Sequence, residues 1–401
     1  MPLHKFFFYL TLLLLPTQLG RHFWPEWTLV LGRRIDYLSP TFYLTDLTII
    51  LMLMTWFFSL YRSRKGKKLK IKINLKIFFL FVLCVFVMCN CLYSLSPFVS
   101  LYMWLKVLEF SLLAHYVIRN PVSFTVLTNI LCFPILYSSV IAIIQSCVQH
   151  SLGGPLWFIG ERAFSVSTPG IAKINFCWFN GTFCREVLRP YATFPHPNVL
   201  AGFLASLVPL LVLTVLQKQT LGKKIVMVSS LIVSFIALLL TASRAAIIVG
   251  TGGLVITVLF SFKRSYKKGA VIASLLLIIS VFMVTPYFQE LTPGSESVSV
   301  RKNLNNAAFT LSRDRPLVGT GLGTFIVALP QVDGSRNLYF LQPVHNIYLL
   351  ILSETGIFGL FLFLLVIFLN MKRPSFNGSH VPFVILLILG LFDHYSMTLQ
   401  Q

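Results

Sequence analysis

Runs of about twenty apolar residues recur along the whole chain, each bounded by charged or turn-forming positions, and that is the length a membrane-crossing helix needs. They predict helices near 6–20, 44–61, 77–96, 100–118, 122–147, 195–216, 225–241, 244–262, 269–286, 344–370 and 381–399. The expected fold class is therefore all-α, one polytopic transmembrane domain over 1–401 with about eleven helices. The first run follows Lys5 but lacks a small-x-small cleavage site, and Arg21 to Trp27 is bulky, so it reads as an uncleaved span. No internal repeat, heptad seam or low-complexity tract is present. Two polar stretches, 148–194 and 287–343, exceed simple connections and are expected to hold short helices packed on the membrane domain.

Composition agrees: 56% of residues are hydrophobic, 11% are charged, and the mean hydropathy is +0.80. A net charge of +21 would suggest nucleic acid in a soluble protein, but its distribution along the chain gives it another meaning. Arg62 to Lys76 carries eight basic residues and no acid, and Lys218 to Lys224, Lys263 to Lys268 and Lys372-Arg373 are also purely basic. Starting with the N-terminus inside, alternation puts all of these in the cytoplasm and both long loops outside. The excess charge is topological, and no nucleic-acid partner is expected.

Five cysteines fall in apolar runs and read as small buried hydrophobes, whereas Cys177 and Cys184 flank Trp178 to Phe183 in the first outer loop. A disulfide persists there more readily than a metal pair, because no nearby His or Cys completes a ligand set.

A second asymmetry separates the two faces. The cytoplasmic bases are mostly lysine, but the outer ones are Arg21, Arg33, Arg34, Arg162, Arg185, Arg189, Arg244, Arg301, Arg313, Arg315 and Arg336, against only Lys173 and Lys302. Arginine offers a planar fork that grips phosphate or carboxylate in bidentate fashion. The outer face is thus suited to an anion, unless these arginines pair with the outer acids.

Three features lie on that rim. Arg189 to Asn198 ends the first loop, with Pro197 suited to a first helical turn and His196 and Asn198 as caps or as anion ligands. Thr241 to Ala246 joins two apolar runs with almost no loop, which puts Arg244 at the end of a tight hairpin, where charge is costly unless paired or used. The second loop closes with Arg313-Asp314-Arg315-Pro316 and the glycines 319, 321 and 323, which permit a sharp turn and lack the Gly-Lys-Ser/Thr of a phosphate loop. His345-Asn346 then opens the run 344–370. Glu354 lies nine residues on, about 13 Å deeper and half a turn round, so it cannot orient His345. It is expected to pair with another helix near Lys106, and any partner of His345 must come from a loop or another helix, with Asn346 or Asp333 as candidates. Ser353, Gly356 and Gly359 are expected to give close helix packing.

Together Phe194-Pro195-His196-Pro197-Asn198 with Leu200-Ala201-Gly202, Ser243-Arg244, Pro316 through Gly323 with Phe325, and His345-Asn346 with Leu349, Glu354, Gly356 and Gly359 resemble the O-antigen ligase and O-antigen polymerase superfamily over residues 150–370. The resemblance implies a metal-independent glycosyltransferase without cofactor in the bacterial cytoplasmic membrane. Its donor would be a polyprenyl diphosphate-linked glycan, its acceptor a hydroxyl on a lipid, glycan or protein, and its active site would lie on the outer face. At matching positions His345 corresponds to the histidine that activates the acceptor, and Arg189 and Arg244 to arginines that hold the diphosphate. His196, Asn198, Asn346, Arg313 and Arg315 complete the expected binding residues. The chain departs from the pattern in ending soon after Asp393-His394, with about eleven spans where twelve are usual.

Other classes compete with this reading. A transporter or flippase for an anionic lipid or solute would show paired broken helices and midplane charges, for which Lys106, Glu109 and Glu354 are available. A receptor or assembly module would need no chemistry.

Overall fold

The computed structural model describes residues 1–63, 75–178, 183–217, 219–261, 266–284, 296–333, 341–371 and 380–399. Among them α1 (Leu3–Leu13) is followed by two small hairpins, β1 (Gly20–His22) with β4 (Thr41–Tyr43) and β2 (Leu29–Val30) with β3 (Arg33–Arg34). The helices α2 (Leu44–Ser63), α3 (Leu75–Leu92), α4 (Pro97–Arg119) and α5 (Phe124–Val148) come next. The hairpin β5 (Lys173–Trp178) and β6 (Phe183–Leu188) precedes α6 (Pro197–Val215), α7 (Leu221–Leu240), α8 (Arg244–Ser261) and α9 (Tyr266–Val284). The chain closes with α10 (Glu296–Asp314), α11 (Phe325–Asp333), α12 (Ile347–Met371), α13 (Val381–Leu389) and α14 (Tyr395–Thr398).

Seven of these helices, α2, α4, α5, α6, α7, α8 and α12, are long and apolar enough to cross a membrane. Two of the expected spans are altered. The first is only 11 residues long, and the last is divided into α13 and α14 around Asp393-His394, polar groups that must leave an apolar helix to find partners. The basic runs that oriented the chain lie largely outside the described residues.

The structure is mostly helical with little strand, so the all-α expectation needs one correction. The loop 148–194 holds one short 3-10 helix, Gly154–Ile159, in line with the expected short helices, and in addition a hairpin that was not expected. Lys173 to Trp178 shows the reason: Ile174, Phe176 and Trp178 alternate with Asn175 and Cys177, a period of two that suits a strand. The backbone register sets Cys177 opposite Cys184. Both cysteine side chains lie outside the described residues. The second loop does contain helices, α10 and α11.

The centre of the bundle is α6, 78% buried over its apolar window against 11% for α4. It packs against α5, α7, α8 and α13. Small residues permit this: a side chain at Gly250 would meet Ala205, and one at Gly253 would meet Ile385.

α12 is broken at Gly356, whose φ of 66° lies in the left-handed region. The break frees backbone groups, and the segment 316–325 takes them up. Thr320 N–H donates to the Ser353 carbonyl at 3.0 Å, Gly321 N–H to the Glu354 carbonyl at 2.9 Å, and Ile357 N–H to the Pro316 carbonyl at 2.8 Å. The Asn90 amide adds bonds to the carbonyls of Val318 and Glu354 at 2.7 and 3.0 Å. Non-helical backbone is tolerated at such depth only when it is satisfied in this way. Glu354 belongs to the same device, since its carboxylate accepts the N–H groups of Gly323 at 2.8 Å and Phe325 at 3.0 Å. That corrects the expected pairing near Lys106, which instead bridges Asp46 at 2.5 Å and Glu109 at 3.3 Å.

A Cβ at Gly356 would sit 2.3 Å from the Leu317 backbone, in a conformation costly for any other residue. Gly356→Ala should therefore lower stability by at least about 1–3 kcal/mol, read as the midpoint of heat-induced precipitation in detergent. Gly252→Ala, in α8 with open space around it, should hold or slightly raise that midpoint. Equal midpoints for both variants would refute the interlock.

Candidate active site

At the end of the bundle that carries the hairpins, α12 begins with Asn346. Its side-chain oxygen accepts the N–H groups of Tyr348 at 2.9 Å and Leu349 at 3.1 Å, so it acts as the N-cap. The next N–H, of Ile347, donates to the Gly390 carbonyl at 2.8 Å, and the Tyr348 hydroxyl to that of Leu387 at 2.9 Å. Gly390 favours this approach, because a Cβ there would lie 2.4 Å from the end of the Ile347 side chain, which would have to shift. These bonds set the turn after α13 beside the start of α12, bringing His345, Asp393 and His394 together.

One ligand-type atom from each of these three residues lies within 4.8 Å of the others. The His345 and His394 rings meet edge to face, with centroids 5.2 Å apart, and Tyr37 from the 3-10 turn Asp36–Leu38 meets His394 edge-on at 5.4 Å. His345 Nδ1 is buried and has no hydrogen-bond partner among the described residues.

Asp393 is held from α6. Its carboxylate accepts an N–H of the Asn198 side chain at 2.8 Å, and the backbone N–H of His394 at 2.8 Å. The other end of the Asn198 amide accepts from Arg189 Nη2 at 2.6 Å, and Arg189 Nε donates to the Thr241 carbonyl at 2.7 Å. A single chain of bonds thus runs from the α7–α8 turn, three residues before Arg244, to the His345 cluster. Arg244 is the first, half-buried residue of α8.

The remaining expected residues divide. His196 is the N-cap of α6, its Nδ1 accepting the Asn198 N–H at 3.1 Å. Arg162 donates to the Pro195 carbonyl and lies over the Tyr191 ring, fixing the same turn. Arg313 and Arg315 are at the far end of α10, and Arg315 donates to the Tyr93 carbonyl at 2.7 Å. Arg301, about 18 Å back along that helix by its rise per residue, is the α10 arginine whose charge acts on His345. The Asp333 side chain lies outside the described residues. Asp393, expected inside the last span 381–399 and found in the turn between α13 and α14, supplies the carboxylate beside His345. A charged pair closing an apolar run was the signal available for it.

Electrostatics follow from burial and these neighbours. Burial lowers His345 below the usual histidine range, Asp393 opposes that, and Arg301 adds to the lowering. His196 is pushed down to about 3 by burial and by Arg189. Burial also takes His394 down to about 4. Burial alone would raise the Asp393 carboxyl, but His394, His345 and the Asn198 amide outweigh it and hold it below the ordinary value. The resting site is therefore a neutral pair of imidazoles beside a carboxylate. A cavity of about 380 Å³ runs from Tyr37 and Thr398, both touching His394, between α4, α11 and α12 towards Glu354.

Several long apolar helices with a polar site at one end define a multi-pass membrane protein. Residues 226–364 match the family model described as O-antigen ligase, so this part of the chain is similar to that family. No curated protein and no solved structure matches. The matched segment contains Arg244, Arg301 and His345, whereas Arg189 and Asn198 precede it and Asp393 and His394 follow it.

Removing the bridging amide takes one hydrogen-bond partner from the Arg189 guanidinium and one from the Asp393 carboxylate. Asn198→Ala should cost about 1–3 kcal/mol, seen as a lower thermal midpoint than wild type or the exposed control Thr310→Ala. A midpoint equal to the control would mean that the bridge adds nothing to the fold.

Proposed function

We propose that the protein transfers a glycan from a polyprenyl diphosphate carrier to an acceptor hydroxyl on the outer face of the bacterial cytoplasmic membrane, as the matched family's place in polysaccharide biosynthesis suggests. The observation that carries this reading is the convergence of a neutral, half-buried His345 with Asp393 and with arginines on one rim. The acceptor oxygen attacks the anomeric carbon while its proton passes to the His345 imidazole, and the bond to the diphosphate breaks. Asp393 stabilises the imidazolium as it forms, whereas the charges of Arg189, Arg244 and Arg301 favour the leaving diphosphate. The apolar cavity beside His394 suits the hydrocarbon end of a lipid-linked substrate. Attachment to a lipid core, to another glycan repeat or to a protein would use the same groups.

Transport is the competing class. Its signature of paired broken helices has partial counterparts among the described helices in α12, whose freed backbone groups are satisfied by the segment 316–325, and in the division between α13 and α14, whose polar groups join the His345 cluster.

In proteoliposomes containing a polyprenyl diphosphate glycan and candidate acceptors, His345→Ala should reduce transfer by about 10²–10⁴. Arg244→Ala should lower it as well. Unchanged transfer by His345→Ala would remove the base, and glycan crossing the bilayer without being transferred would favour transport.

We also infer, from their facing positions in β5 and β6, that Cys177 and Cys184 are bonded. Under denaturing conditions without reductant five of the seven cysteines should react with a maleimide, and all seven after reduction. Seven reactive thiols before reduction would rule the bond out.

A further inference from the structure

The cluster that supplies the base also has the features of a metal-binding set. Thr398 Oγ1 lies 2.7 Å from His394 Nδ1 and 3.2 Å from the His394 carbonyl, and in the tautomer with Nδ1 protonated the hydroxyl oxygen accepts from the ring while its own proton goes to that carbonyl. That leaves His394 Nε2 with its lone pair, 4.0 Å from Asp393 Oδ1. His345 brings a buried Nδ1 that no described group satisfies. Metal-binding histidines and carboxylates are held by outer hydrogen bonds of this kind, here Thr398 on His394 and Asn198 on Asp393, with Arg189 behind Asn198.

Geometry and chemistry select the ion. Three ligand atoms within 4.8 Å of one another need to close only to the roughly 3.3 Å of a tetrahedral site with bonds of about 2.0–2.2 Å. Two imidazoles with one carboxylate suit a borderline transition ion better than calcium or magnesium, which prefer oxygen. Three protein ligands also leave a fourth position open. Arg189 and Arg301 oppose a cation there and favour an anion in that position.

We propose that His345, Asp393 and His394 bind one divalent transition-metal ion of the zinc class, and that the ion arrests transfer by occupying the imidazole that must receive the acceptor's proton. The arrest rests on the function proposed above; the binding does not.

The test uses the full chain, purified without an affinity tag, stripped with chelator and titrated with Co²⁺ while its visible absorption is followed. One equivalent should produce a ligand-field band that Zn²⁺ displaces. His394→Asn and Asp393→Asn should weaken binding at least tenfold, and Thr398→Val, which leaves all three ligands in place, by about 10–100-fold. Absence of a saturable band in wild-type protein, or equal affinity in all variants, overturns the site. In proteoliposomes Zn²⁺ should inhibit transfer with the midpoint of the binding curve, reversibly on adding chelator. Transfer that is indifferent to saturating Zn²⁺, or that needs it, overturns the arrest. A wild-type protein that transfers nothing would count against the glycosyltransferase reading alone, because the cobalt signal still judges the ion site.

Discussion

The amide of Asn198 joins two opposite charges, Arg189 and Asp393. It accepts from the Arg189 guanidinium through one atom and donates to the Asp393 carboxylate through the other. A direct buried ion pair would have neutralised both groups; an amide between them keeps the arginine on the rim and the carboxylate beside His345. The bond chain also ties together the end of the first loop, the start of α6, the α7–α8 turn and the turn after α13. With those four regions fixed, the edge-to-face contact of His345 and His394 follows.

A second constraint supports the first from below. Because hydrocarbon offers no hydrogen bonds, a helix broken at Gly356 must have its exposed carbonyls and N–H groups matched by something. The segment 316–325 does this, and Glu354 returns the favour by accepting two of that segment's own N–H groups. The glycines at 319, 321 and 323 all have positive φ, and a side chain would meet the Glu354 backbone at the first, Ser94 and Ser100 at the second and Met103 at the third. Their role is structural, and the second loop is thereby anchored in the bundle instead of lying over it. The same walls bound the cavity that leads from His394.

The segment that matches the O-antigen ligase model contributes Arg244, Arg301 and His345. The matched segment ends at residue 364, before the carboxylate and the second histidine that complete the cluster. Those residues enter through geometry alone. Their presence makes the site more than a single histidine on a helix end, and it is also what makes a metal ion chemically reasonable there.

Much of this protein was legible as a sequence. Seven of the apolar runs, the tight turn before Arg244, the helix starts at Pro197 and after His345, and the turn glycines 319, 321 and 323 follow from local chemistry that tertiary context did not overrule. Other features needed the folded chain. The hairpin in the first loop was missed because its period of two spans only six residues a strand. Glu354 has a lysine at plausible depth, but the partner it takes is backbone, which no side-chain pattern reveals. Asp393 lies 48 residues beyond His345 and 195 beyond Asn198, separations at which sequence spacing carries no information about contact. Local preference and hydropathy determined where most helices begin. Only the packing of α6, α12 and α13 decided which polar groups meet, because partners for buried charges are chosen in space.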